Sequence, residues 1–430
     1  MLRNDASETR FPNTASVWIQ KLSPPQHVHS PSSGPLHICL ASTQAKWHGG
    51  EKQAALLAEG LTRLGHRCSI LARAEGEFSR RMQAAGYEVH TFPGSGRSVS
   101  ACMHIRRALK TLRPDVLHAN DAHALTATGV AGVGLDIPLR VAARRVDFPI
   151  RSRFRYRYLA HGLICVSRAV ASVCRASGLP ADHLHVVHDG VEPTFAESGS
   201  RETGRASLEL SAEQQLLLTV AKLTDHKGHT YLLQAMPQIV EQHPNVVLAL
   251  AGDGELRSEL ETEVRQLGIE RYVRFLGYRH DVADLLAAAD LIVQPSHMEG
   301  LCSSLIDAML AARPIVACRA GGIPDLLQTE APDEPVGWLT ESRDPDALAT
   351  AICASLSDAS ESQGRADAAR KRALKKFTAE QMVKDTLSAY AVIARHRYGN
   401  QAAERLPSLA SDAGVSESAT SATCSVTRAA

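Results

Sequence analysis

No run of eighteen apolar residues occurs anywhere in the 430-residue chain, so a membrane-spanning helix is not expected. An excess of either charge is also missing. The 47 Lys and Arg stand against 46 Asp and Glu, a net charge of +1, and no overall field draws nucleic acid. The nine cysteines are scattered, odd in number and without C-x-x-C spacing. Cys39, Cys165 and Cys318 sit in apolar, strand-like runs, where a reduced, buried thiol in a reducing cytoplasm is the ordinary reading. The opening MLRNDASETRFPN lacks the basic-then-apolar order of a signal peptide.

Between two polar ends the chain alternates. Strand-like runs LHICLA (36–41), RCSILA (67–72), EVHTF (88–92), DVLH (115–118), LICVS (163–167) and LHVVH (184–188) are separated by helical patterns such as EKQAALLAEGLTRLG (51–65). After a polar, Gly-containing stretch near 190–205 the alternation resumes with LLLTVA, VVLALAG, YVRFLG, LIVQP and PIVAC. Strand–helix–strand at this pace implies right-handed βαβ units and parallel sheets. The expected fold class is α/β, with two doubly wound Rossmann-like domains and a cleft between them. The expected boundaries are an unstructured tail at 1–33, a first domain at 34–195, a second at 196–376, a helix at 377–398 crossing back to the first, and an unstructured tail at 399–430. Ligands of such sheets sit beyond the C-terminal strand ends.

The segment DLIVQPSHMEGLCSSLIDAMLAARPIVACRAGGIPD (290–325) carries the most chemistry. A strand ends in a loop holding Glu299 and Gly300; Ser303 and Ser304 then open a helix that carries Asp307. Free N–H groups and the dipole of a helix start favour a phosphate. The acids would repel that phosphate and suit hydroxyls instead. Phosphate plus several hydroxyls describes a nucleotide sugar.

This segment resembles the signature of glycosyltransferase family 4, retaining enzymes of the GT-B fold. Its P-S-x-x-E-G pattern with a second acid eight residues on, followed by G-G-x-P-E, stands here as PSHMEGLCSSLIDAM and GGIPD. Asp307 replaces the second Glu and Asp325 the later one, with spacing and charge kept. LLLTVAKLTDHKGHTYLLQAM resembles the family's G-R-L-x-x-x-K-G unit, with Lys222 in place of Arg, and Lys227 and Gly228 retained. Two ammonium groups beside a helix start suit a diphosphate leaving group; they also suit a solvated surface. The strand followed by Gly252-Asp253-Gly254 and the loop at Gly277-Tyr278 fit the same pattern, the latter where relatives hold the nucleotide base.

In the first half, Gly49-Gly50 sits where relatives have a Gly-Gly loop facing the donor phosphate; a plain helix-entry loop is the other reading. LHANDAHALTA (117–127) leaves a strand where the family carries a sugar-contacting His. Asn120 holds that position, His123 is the replacement candidate, and His118 is either a donor contact or a strand-end residue. The arginine-rich stretch 140–157 reads as a solvated surface or as a contact for anionic lipid headgroups at the inner membrane face or a phosphorylated acceptor. No nucleic acid is expected. DPD at 344–346 invites a metal, but Asp344 as N-cap and Pro345 in the first turn account for it.

The resemblance covers roughly residues 35–398 and implies a cytoplasmic, metal-independent, retaining glycosyltransferase without a cofactor. Its expected partners are a nucleoside diphosphate sugar and a glycan or lipid-linked acceptor, plausibly in lipopolysaccharide or exopolysaccharide assembly. It assigns catalysis to Glu299, Lys227, Lys222 and His123. Donor binding falls to Gly49, Gly50, His118, Asn120, Gly252, Gly254, Gly277, Tyr278, Gly300, Leu301, Cys302, Ser303 and Asp307. A GT-B sugar-nucleotide epimerase and a non-catalytic sugar-nucleotide-binding relative are the alternatives.

Overall fold

The computed structural model describes residues 34–329 and 334–410. The tail expected at 1–33, and residues 411–430 of the other, lie outside the described residues. The first sheet contains β1 (His37–Ser42), β2 (Arg67–Arg73), β3 (Glu88–Phe92), β4 (Val116–Ala119), β5 (Leu139–Arg144), β6 (Gly162–Cys165) and β7 (Leu184–Val186), in the order β3-β2-β1-β4-β5-β6-β7. The second contains β8 (Gln215–Val220), β9 (Val246–Ala251), β10 (Val273–Gly277), β11 (Leu291–Gln294), β12 (Ile315–Cys318) and β13 (Trp338–Thr340), in the order β10-β9-β8-β11-β12-β13. Neighbouring strands in both sheets are parallel. β1 and β9 are buried at every position, which is why ICLA and VVLALA read as apolar runs.

Two strands were missed by the sequence reading. β13 is only three residues long. β5, LRVAAR, is hidden by its arginines. The expected basic surface at 140–157 is accordingly corrected for Arg140 and Arg144, while Arg151, Arg153 and Arg157 are exposed. Arg140 folds back on His161, its Nε 3.2 Å from His161 Nε2. Arg144 is buried and donates to the Tyr156 hydroxyl at 3.1 Å and to the Phe148 carbonyl. Their stems cover the sheet while their heads find acceptors, so they offer nothing to a partner.

Helices Gly49–Arg63, Glu77–Ala84 and Ala379–Tyr398 share a core with one face of the first sheet. Helices Val99–Leu112, Ala122–Ala131 and Arg153–Leu159 cover the other. The long helix Ala379–Tyr398 docks through glycine-sized notches. A Cβ on Gly60 would lie 2.4 Å from Val383 Cγ2, and one on Gly162 2.6 Å from Ile393 Cδ1. The chain passes between the sheets twice, and the two passages are stitched together. Val191 N–H donates to the Phe377 carbonyl at 3.0 Å, and Ala379 N–H to the Val191 carbonyl at 3.1 Å. Past this helix the expected unstructured tail is again corrected. Residues 399–410 form short helical turns that bury Leu406 and Leu409 against the first core. Two leucines on adjacent turns supply enough apolar surface to order a segment that composition alone marks as polar.

Candidate active site

The strand order reverses between β1 and β4 in the first sheet and between β8 and β11 in the second. Those are the points where α/β sheets bind ligands. The loops leaving these strands meet along one seam. A Cβ on Gly300 would lie 2.1 Å from the Arg145 carbonyl oxygen, so a larger residue would force the seam apart. The Glu299 N–H donates to Asp147 Oδ2 at 2.9 Å. Asp325 accepts the Arg168 N–H at 2.7 Å and faces His188 Nε2 at 3.0 Å. Its charge sits at the start of helix Arg168–Ala176, where a carboxylate is favoured.

Lys227 and Glu299 form the centre of the second sheet's switch point. Lys227 Nζ lies 2.8 Å from Glu299 Oε1 and 2.6 Å from Oε2, and the two side chains are 18% and 9% exposed. Burial alone would push the Lys227 ammonium towards losing its proton; the Glu299 carboxylate outweighs that and holds its pKa above the usual lysine value. Gly228 makes the pairing possible. It adopts φ +69°, and a Cβ there would lie 2.1 Å from the Pro295 carbonyl oxygen, so the loops after β8 and β11 close on each other at this point.

Cys302 precedes helix Ser303–Leu310 with φ 78°, a left-handed conformation unusual for a residue with a side chain. Such strain costs on the order of 1–3 kcal/mol. No side chain caps this helix, so N–H groups of its first turn lack a side-chain acceptor. The Cys302 thiol itself is inert: burial and the nearby Glu299 push its pKa up to about 12. Leu301 is buried in the core, which leaves only its backbone to face a ligand. One turn further on, Asp307 is buried and its Oδ1 has no hydrogen-bond partner among the described residues. Burial raises its pKa to about 6, and Lys52 partly offsets that.

The first sheet's switch point is organised differently. Asn120 Nδ2 donates to the Gly50 carbonyl at 3.0 Å, and its Oδ1 accepts from Arg145 Nη1 at 2.6 Å. Arg145 Nε continues to Asp189 Oδ1 at 3.1 Å. Asp121 accepts from Thr43 N–H and Oγ1 at 2.9 and 2.8 Å and caps helix Ala122–Ala131. Glu51 is buried, and burial raises its pKa despite the Ser42 hydroxyl at 3.0 Å.

Comparison with known proteins agrees with this geometry. Residues 200–372 match the family described as glycosyl transferases group 1, and residues 47–195 match glycosyltransferase family 4. The glycogen synthase of Mycobacterium tuberculosis is 31% identical over 318 residues, which cover 69% of this chain and 73% of that protein. The chain belongs to the GT-B glycosyltransferases. An amylovoran biosynthesis glycosyltransferase of Erwinia amylovora is 30% identical over 214 residues, 48% of each chain. The match spans 60%, 40% and 48% of the first curated relatives' lengths. Among solved structures, HepE of Anabaena in complex with UDP and glucose superposes with a TM-score of 0.70 at 22% identity, covering 82% of this chain and 99% of that one.

In this glycosyltransferase the expected site residues fall into two groups. Lys227, Glu299, Gly300, Cys302, Ser303 and Asp307 lie on the loop and helix beyond β8 and β11. Lys222 is exposed on the same loop. Gly49 and Gly50 open the helix after β1. A Cβ at Gly49 would meet open space, so packing within the protein does not require glycine there. His123 is exposed at the start of helix Ala122–Ala131, 2.9 Å from Arg97 Nη2.

The second group has a structural task. A Cβ on Gly252 or Gly254 would lie 1.9 Å from the Ala221 carbonyl or 2.1 Å from the Leu223 carbonyl, so these glycines seat the loop after β9 against the loop bearing Lys222. Gly277 accepts the Gly252 N–H at 2.8 Å. Tyr278 is 75% exposed, its ring edge-on to His280. His118 departs furthest from expectation. It lies inside β4, fully buried, with Nδ1 2.6 Å from the Tyr390 hydroxyl of the long closing helix. Burial and Arg145 lower its pKa to about 3. As a strand residue it points into the core rather than past the strand end.

Three further residues were given no site role in the sequence: Arg145 and Asp147 meet the second half across the seam, and Asp189 holds the Arg145 guanidinium. Recognising LRVAAR as a strand would have placed Arg145 and Asp147 just past its C-terminal end, where functional residues of such sheets gather.

Proposed function

We propose that this chain transfers a sugar, with retention and without a metal, from a nucleoside diphosphate sugar to a glycan or lipid-linked acceptor in envelope polysaccharide assembly. The observation that carries the reading is the buried Lys227–Glu299 pair, set beside an uncapped helix start and one turn from the unpartnered Asp307 oxygen. The pair keeps two buried charges satisfied by each other. A donor separates their tasks: Lys227 and the N–H groups after Gly300 take the diphosphate, and Glu299 takes sugar hydroxyls. Lys222 and the Gly49-Gly50 backbone add to the phosphate side. Asp307 takes the nucleotide ribose, and His123 faces the sugar from the first domain.

Charge on the departing diphosphate is met by ammonium and N–H groups, the role a metal plays in other transferases. Asp344, the first acid of DPD, accepts the Ala347 N–H at 2.9 Å as a helix cap, which supports a structural task for that motif. The acceptor class is supported by the amylovoran relative, and the donor class by the UDP and glucose in the HepE structure.

The test is a thermal-shift panel of UDP-, GDP- and ADP-sugars. A donor at a hundred times its Kd should add about 2.7 kcal/mol of stability. Transfer should persist in excess EDTA and yield a product with the donor's anomeric configuration. No shift with any sugar nucleotide would overturn the donor reading. Loss in EDTA restored by manganese would overturn the metal-free one.

A further inference from the structure

Eight cysteines fall within the described residues, and all are free thiols. Two of them face each other. Cys165 ends β6 and Cys174 lies on helix Arg168–Ala176, and their sulfurs are 4.0 Å apart. Both are fully buried, so the two sulfurs are held in place by packing. Cys165 is in register with Arg144 on β5, so these two side chains leave the same face of the sheet. Arg144 is itself buried, and its Nε has no partner among the described residues. The hydrogen bond from Cys165, together with the Arg144 charge, holds the Cys174 thiol below its usual pKa despite burial. A cationic neighbour of this kind is what makes a cysteine reactive.

The residues that follow Cys165 are where the first half meets the second. A Cβ on Gly300 would lie 3.6 Å from Val166 Cγ1, and one on Gly322 2.7 Å from Ser167 Cβ. Arg168 N–H donates to Asp325 Oδ2 at 2.7 Å. Three consecutive residues thus touch the second half. Ser167 also caps the helix, accepting the Val170 N–H at 3.2 Å. Gly322 N–H in turn donates to the Glu299 carbonyl at 3.1 Å, so the contact leads directly to the loop that holds Glu299. These distances leave the helix start no slack against the seam.

We infer that Cys165 and Cys174 form a reversible disulfide when the protein meets a peroxide, and that this bond draws helix Arg168–Ala176 off the seam and weakens donor binding. The Cys174 thiolate attacks the peroxide O–O bond, giving a sulfenic acid and releasing hydroxide. The Cys165 sulfur then attacks the Cys174 sulfur; the S–S bond forms, the S–O bond breaks, and water leaves with the Cys165 proton. Two thiols and one hydrogen peroxide thereby give one disulfide and two waters. The sulfurs must close from 4.0 Å to about 2.05 Å. β6 is paired with β5 on one side and β7 on the other, whereas the helix is only nine residues long, so the helix takes the movement. Its start carries the contacts to Asp325 and Gly322 with it. The effect on the donor rests on the donor-site reading above; the bond itself does not.

The test treats the full chain with hydrogen peroxide, blocks the remaining thiols by alkylation and maps the peptides by mass. Trypsin cuts after Arg157, Arg168 and Arg175, which puts the two cysteines in separate peptides. These should appear linked, with loss of two hydrogens, and dithiothreitol should part them. Hydrogen exchange of the amides at 166–170 and 320–325 should quicken in the oxidised protein. The Kd for UDP should rise about tenfold, within the usual range for coupled sites. Cys174→Ser should bind UDP as the reduced wild type does and lose the response to peroxide. Cys174→Ala takes its place if the Ser variant melts early. Cys353→Ser should keep the full response. Absence of the link would overturn the proposal, as would oxidation of Cys174 to a sulfinic acid without one. A link that leaves exchange unchanged, or UDP affinity unchanged in a protein that binds UDP, would overturn the coupling to the seam. A link with quickened exchange in a protein that binds no UDP when reduced would support the switch and overturn the donor reading.

Discussion

The two sheets share one strand order through their first six strands, yet their switch points are in opposite states. In the first, Asn120, Arg145, Asp189, Asp121 and Glu51 satisfy one another and the neighbouring backbone. In the second, a helix start is uncapped, an Asp307 oxygen is buried without a partner, Lys222 is exposed, and the Lys227–Glu299 pair has no carbonyl or hydroxyl supporting it. Architecture thus marks where a ligand can sit, while unspent hydrogen-bonding capacity marks which half is waiting for one. Unsatisfied buried groups are costly, so the partnerless Asp307 oxygen beside an uncapped helix start points to function, whereas the unpartnered His118 Nε2 of the first half lies inside a strand.

The largest effect tests this contrast at its centre. Lys227→Ala should lower turnover by about a hundredfold or more, the usual cost of removing a group that stabilises a developing charge. It also strands Glu299 in a buried place, so the melting curve should shift by the equivalent of about 3 kcal/mol. Glu299→Gln should abolish transfer with a smaller stability loss, because the amide still accepts a hydrogen bond. Wild-type turnover in Glu299→Gln would remove it from the site.

Asp307→Ala should weaken donor binding by roughly 1.5–3 kcal/mol, with Asp307→Glu tolerated. A 2′-deoxy donor should lose less affinity in the Ala variant than in wild type. Equal discrimination by both proteins would detach Asp307 from the ribose. Without added donor, stability should respond to pH through the same residue. Its folded pKa, about 6, lies above the 3.8 of an ordinary aspartate. Its contribution to stability is therefore complete below the lower value and lost as pH rises through the higher. Melting temperatures of Asp307→Asn should lack the decline seen in wild type over that window. Donor affinity runs the other way, because hydroxyls need the ionised carboxylate as acceptor, and it should fall as pH drops through about 6.

His123→Ala should lower turnover by about tenfold while leaving stability within about 0.5 kcal/mol, as expected for an exposed side chain. A shift in melting without a change in turnover would assign it to the surface. The smallest effect on ligand binding belongs to Asn120→Ala. Breaking the Gly50–Asn120–Arg145 relay should cost stability, about 1–3 kcal/mol, and leave donor affinity nearly unchanged. Loss of donor affinity comparable to Asp307→Ala would erase the distinction between the two halves.

The local pattern of this chain carries a good deal. Unbroken apolar strands and intervening helical periodicity specify two parallel sheets, because strands buried on both faces must be apolar throughout. The spacing of Glu299 and Asp307, with Lys227 and Gly228 after β8, identifies the second switch point, since one loop and the helix after it carry both acids of the motif. Position relative to the core was decided by the tertiary structure. His118 and His123 are equally plausible in sequence, and only the pairing of β4 with β1 and β5, together with Tyr390 more than two hundred residues away, buries the first and leaves the second in water. Arg144 and Arg157 look alike in an arginine-rich stretch; one lies under Tyr156 and the other faces solvent. Asp147 and Asp325 gain their tasks only when the two sheets are brought together. Periodicity reports what a residue's neighbours along the chain require, whereas a seam is made by contacts between segments far apart in sequence, and no local pattern encodes them.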